Sequence, residues 1–148
     1  MHTLPRLLYL LAAMLMLTSC WWQDARVNPT IDGTPEDAAI NFFDAIYNKK
    51  DMELALQLSS PRMKRLLKSY VVPTQVQKHL FNLMYDKVEI ALDTGNTRMR
   101  TQFAKNSKVS VFFTGYYIDD KIEDIRVASM VKIDGKWRVE RVDIAHYY

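Results

Sequence analysis

The chain has 148 residues, a net charge of +3 and 49% hydrophobic residues. This length suits one ordinary domain, and the charge bias is too small to point to a nucleic-acid partner. The single cysteine excludes an intrachain disulfide, so the core alone must hold the fold. The three histidines and the cysteine show no metal-ligand spacing. Glycine-rich phosphate loops and nucleophile elbows are absent, so neither a metal nor a cofactor is expected.

Met1 to Arg6 is a short leader with one cation, Arg6. Leu7 to Leu17 is an unbroken apolar run. It has the size of the central region of a secretory signal and falls short of the roughly 20 residues that a bilayer span requires. Small residues then lead into Cys20. The stretch Leu17-Thr18-Ser19-Cys20 resembles the lipobox of bacterial lipoprotein precursors, with Leu17 three places before the cysteine and Ser19 just before it. The resemblance implies cleavage between Ser19 and Cys20, a thioether-linked diacylglycerol on Cys20 and acylation of its new amine. Several acyl chains, at about 0.8 kcal/mol per buried methylene, would anchor the protein firmly. Trp21 and Trp22 follow, and tryptophan favours the headgroup region. Trp21 stands where an aspartate favours inner-membrane retention in enterobacteria-like sorting. The resemblance therefore implies the periplasmic side of the outer membrane.

Residues 1–19 are thus expected to be a signal peptide, 20–33 a lipidated cysteine and polar tether, and 34–148 a single domain. Thr34-Pro35-Glu36-Asp37 starts a helix, with a cap, a proline at the first position and two acids at the positive dipole end. Ala39, Phe42, Phe43, Ile46 and Tyr47 recur at helical spacing along one face. Asp51 caps a short second helix through Leu58, and Ser60-Pro61 opens a third. There Met63, Leu66, Leu67 and Tyr70 share one side, and Arg62, Lys64, Arg65 and Lys68 take the other. Thr74-x-x-Gln77 reads as a capping box for a fourth helix reaching about Met84.

After Tyr85 the period changes to two. Val88, Ile90 and Leu92 mark one strand, and Met99, Thr101 and Phe103 a second. Residues 108–118 form a strand with apolar side chains on both faces: Val109, Val111 and Phe113 on one, Phe112, Tyr116 and Ile118 on the other. Asp119-Asp120 turns the chain. Ile125, Val127, Val131 and Ile133 mark the next strand, and Asp134-Gly135 is a hairpin signal leading to Trp137 and Val139. Val142 and Ile144 have the opposite parity, which a bulge near Glu140-Arg141 explains.

Helices first and an antiparallel meander after them give an α+β class, with N-terminal helices packed on one face of a curved antiparallel sheet. Over about residues 34–146 the chain resembles the cone-shaped, cystatin-like superfamily of nuclear transport factor two and ketosteroid isomerase. The resemblance rests on the opening amphipathic helix, the Asn48-Lys49-Lys50-Asp51 break, Ser60-Pro61 and the Asp134-Gly135-Lys136-Trp137 hairpin. It implies that any catalyst would place acid–base groups inside the cone. The candidates are Asp44, Tyr47, Tyr85, His79 and His146, with Asp44, Tyr47 and Tyr85 as the pocket set. No spacing motif links them, so a binding or scaffolding role is expected rather than an isomerase or dehydratase. An apolar cargo in the cone is the remaining alternative. Phe112, Tyr116 and Ile118 are the candidate interface for a second copy or an envelope protein. Trp21, Trp22, Arg62, Lys64, Arg65 and Lys68 are the candidate membrane-facing set, supplementing the membrane attachment through Cys20.

Overall fold

The computed structural model describes residues 33–93 and 105–145. The expected Ser19–Cys20 cleavage and lipidation site, Trp21, Trp22, the strand around Met99 and His146 lie outside the described residues.

Helix α1 spans Pro35–Tyr47, and its start is fixed by a capping box. The Thr34 hydroxyl accepts from the Asp37 amide, and the Asp37 carboxylate accepts from the Thr34 amide. Asp51 caps α2, Met52–Gln57, through the Leu54 amide. Ser60 caps α3, Pro61–Lys68, through the Met63 amide. These three helices begin where the cap-then-helix signals place them.

The fourth helix differs from expectation. A single turn, α4 at Pro73–Gln75, begins at Val72 without a side-chain cap and passes into a π-helical turn at Val76–Leu80. Gln77 does not serve the capping box with Thr74. It is buried, and its Nε2 donates to the Ile46 carbonyl at 2.9 Å. A helix leaves its last carbonyls without intrahelical partners, and Gln77 satisfies one of them for α1.

The sheet contains β1 (Lys87–Leu92), β2 (Asn106–Tyr117), β3 (Asp120–Ile133) and β4 (Lys136–Ile144), antiparallel and in that order. Two-residue turns join the last three strands. Asp134 and Gly135 both have positive φ, as do Ile118 and Asp119. The first β turn therefore sits one residue earlier than Asp119-Asp120. Between β3 and β4 the register shifts at Ser129/Met130: Met130 faces Val139 and Ser129 faces Arg141, leaving Glu140 over. This bulge brings Val142 onto the face that already carries Trp137 and Val139, and it bends the sheet. Segment 58–60 docks along the free edge of β4. The Val139 amide donates to the Leu58 carbonyl and the Ser60 amide to the Val139 carbonyl, each at 2.9 Å. An edge covered in this way is less open to pairing with other chains.

The core lies between α1 and the concave face. Phe42, Phe43, Ile46, Val111, Phe113 and Val139 are fully buried there. Each such side chain contributes about 1.5–3 kcal/mol relative to exposure. The register assigns β3 its inner face. Val109 opposes Ala128, Val111 opposes Arg126 and Phe113 opposes Asp124. Asp124, Arg126, Ala128 and Met130 therefore face the helices. Ile125, Val127, Val131 and Ile133, the residues that mark this strand in the sequence, face away from them.

Candidate functional site

Two regions could carry function: the charged end of the concave face, and the convex face of the sheet. The concave end is built on the aromatic cluster. The Phe43 and Phe113 rings meet edge-on at 5.0 Å, and Tyr47 meets Phe113 at 5.5 Å and Tyr85 at 5.8 Å. Tyr85 stacks nearly parallel to Phe113, with 6.3 Å between ring centres. Gly115 makes room for it. A Cβ there would close on the Lys87 carbonyl and lie 2.7 Å from Tyr85 Cδ1.

Beside these rings lie Asp124 and Arg126, two residues apart on β3 and so on one face. Arg126 Nε donates to Asp124 Oδ1 and Nη2 to Oδ2, both at 3.0 Å. Arg126 is 6% exposed, whereas the Asp124 side chain keeps 24%. The pair thus runs from the interior to the rim. A buried guanidinium needs such a partner, because an unpaired charge is costly to desolvate. Tyr47 donates its hydroxyl to the Leu83 carbonyl at 3.0 Å. The Tyr85 hydroxyl is buried with no hydrogen-bond partner among the described residues. Burial pushes both phenols up, Tyr85 to about 12. The Arg126 charge lowers each, but less than burial raises it.

The sequence-derived pocket set is divided by this geometry. Tyr47 and Tyr85 come together. Asp44 is engaged at the end of α1, where Lys49 pairs with it at 2.9 Å and Asn48 Nδ2 donates to it at 2.9 Å. His79 is exposed on the π-helical turn. The charged residues that do reach the interior, Asp124 and Arg126, are missed by the strand pattern. The signal that finds them is the hairpin. A two-residue loop at Asp134-Gly135 pairs Lys132 with Trp137 and places Met130 opposite Val139. If Trp137 and Val139 face inward, Met130 and every second residue before it do too.

On the convex face, Phe112 pairs with Ile125 and Ser110 with Val127. Phe112, Ile125 and Val127 are half-buried and adjoin one another. Tyr116 lies at the end of the same strand, 52% exposed. Ile118 is not on the strand at all. It occupies the β2–β3 turn at φ 48°, 69% exposed, with its amide held by Asp86 Oδ2 at 3.0 Å. A β-branched residue in this region is strained. Of the basic residues on α3, Arg62, Arg65 and Lys68 are exposed and Lys64 is half-buried.

No group of three metal-ligating side chains converges among the described residues. No described helix is long and apolar enough to cross a membrane. No family model, curated protein or solved structure matches this chain.

Proposed function

We propose that this chain is a lipid-anchored periplasmic protein of the outer membrane. Its cone-shaped, nuclear transport factor two-like domain holds a protein partner through the convex face of the sheet, without catalysis. The observation that carries this reading is the distribution of side chains over the two faces. The concave face is filled by Phe42, Phe43, Phe113, Tyr47 and Tyr85, and the ion pair there commits both Asp124 oxygens to Arg126. A catalytic cone needs room and a free acid–base group. The convex face instead leaves Phe112, Ile125 and Val127 half-buried and partly open to solvent across neighbouring strands. Contiguous exposed apolar surface with a polar border is the mark of an interaction site. The anchor is supported by the leader, the apolar run and Leu17-Thr18-Ser19-Cys20 in their proper order.

The anchor is tested with radiolabelled fatty acid. The full chain is expected to take up label and sediment with membranes, and Cys20→Ser is expected to do neither. Equal labelling of both would remove the anchor. The partner is tested with a photoreactive residue placed at 112 or at 127 in the producing cell. A discrete protein adduct is expected from both positions and not from position 53, where Glu53 is exposed on α2. Irradiation that yields no protein adduct from either convex position overturns the scaffold reading.

A further inference from the structure

A groove of about 600 Å³ opens at the end of the sheet where β2 begins and β3 ends. This is within the range of small-molecule sites, roughly 300–1,000 Å³. Its wall is mostly apolar, with the outward-facing Val131 and Ile133 contributing from β3. Arg62, Lys108 and Arg141 line it, with Glu140 as the single acid among the lining residues. Arg141 is paired with Asp143 at 2.8 Å. The side chains of Arg62 and Lys108 have no ion pair or hydrogen bond among the described residues. Helix stability does not explain Arg62. It lies in the first turn of α3, where no acid is present and a cation opposes the dipole.

We infer that this groove binds a free long-chain fatty acid, its carboxylate on Arg62 and Lys108 and its chain along Val131 and Ile133. Two unpaired cations at one apolar groove call for a ligand with one anionic end and one apolar body. Charge-assisted hydrogen bonds to a carboxylate are among the stronger polar contacts. The volume suits a single acyl chain, whereas a two-chain phospholipid outgrows it. The groove lies farther along the same convex face, and neither Phe112 nor Val127 lines it. A lipid adduct at 130–133 without a protein adduct at 112 or 127, or the reverse, tells the two readings apart.

The test uses a palmitate analogue bearing a diazirine, added to lysates of cells that produce the full chain and irradiated before fractionation. Peptide mass spectrometry is expected to place the adduct on the segment containing Met130 to Ile133, apart from any acyl group at Cys20. Unmodified palmitate is expected to compete, and the uncharged hexadecanol is not. Arg62→Glu with Lys108→Glu is expected to weaken labelling about tenfold or more, since each lost charged contact is worth on the order of a decade in affinity. Arg65→Glu with Lys68→Glu, on the same helix outside the groove, is expected to leave labelling unchanged and reports on fold integrity. The inference is overturned by adducts only elsewhere, or by equal competition from hexadecanol. It is also overturned by labelling that survives the Arg62/Lys108 change, or by competition from a lysophospholipid but not from palmitate.

Discussion

Tyr47 and Tyr85 bring the same hydroxyl into the same aromatic cluster, with opposite consequences. Tyr47 satisfies the Leu83 carbonyl, while the Tyr85 hydroxyl has no partner among the described residues. Removing one partner of a buried hydrogen bond leaves the other desolvated, whereas removing an unpartnered group relieves a penalty. Tyr47→Phe is therefore expected to lower unfolding free energy by about 1–2 kcal/mol in denaturant titration. Tyr85→Phe is expected to be neutral or stabilising by about 1 kcal/mol. Their raised pKa values also predict an alkaline limit. An unfolded tyrosine ionises near pH 10. The folded state holds its proton longer, so the contribution is full below about pH 10 and declines as pH rises toward 12, where Tyr85 ionises. In an absorbance titration, the phenolate signal of these two should appear together with unfolding. Their ionisation near pH 10 in an intact fold would contradict the packing. At the β2–β3 turn the strain is local. Ile118→Asn, which tolerates positive φ, is expected to stabilise by about 1 kcal/mol.

The elements legible in the sequence are those whose signals are local. Thr34-Pro35, Asp51 and Ser60-Pro61 each announce a helix within four residues, because a cap needs only its own first turn. The Glu140 bulge was legible because Val142 and Ile144 break parity with Trp137 and Val139, and a break in period two has few physical causes. The role of Gln77 is not legible locally, because its partner, the Ile46 carbonyl, lies 31 residues away. The inward faces of Asp124 and Arg126 escape the strand pattern for a related reason. Strand β3 carries its clearest apolar alternation on the convex side, and only the register with β4 identifies the concave one. The bulge gives a prediction at this scale. Deleting Glu140 should turn the half-buried Val142 away from the core. We expect a loss of about 1–2 kcal/mol and faster hydrogen exchange at residues 142–144, with the helices still protected. Unchanged exchange along β4 would show that the extra residue does not set the phase.

At the scale of the whole molecule, one sheet has two apolar faces and one layer of helices. The helices cover the concave face, so the convex apolar side chains need a separate explanation. Their role in folding and their role in binding make different predictions. Val111 and Val127 are the same residue type on neighbouring strands, and they face opposite ways. Val111 is fully buried and Val127 half-buried. Val111→Ser opens a void and buries a hydroxyl, so it is expected to cost about 3 kcal/mol. Val127→Ser, with the helices on the other side of the sheet, is expected to cost less than about 1 kcal/mol in the isolated chain. If the convex face is a contact surface, the same mild change should abolish the photo-adduct formed at position 112, because truncation at the centre of an interface weakens binding disproportionately. A Val127→Ser chain that folds normally and still forms that adduct would show that the contact at position 112 does not rest on Val127.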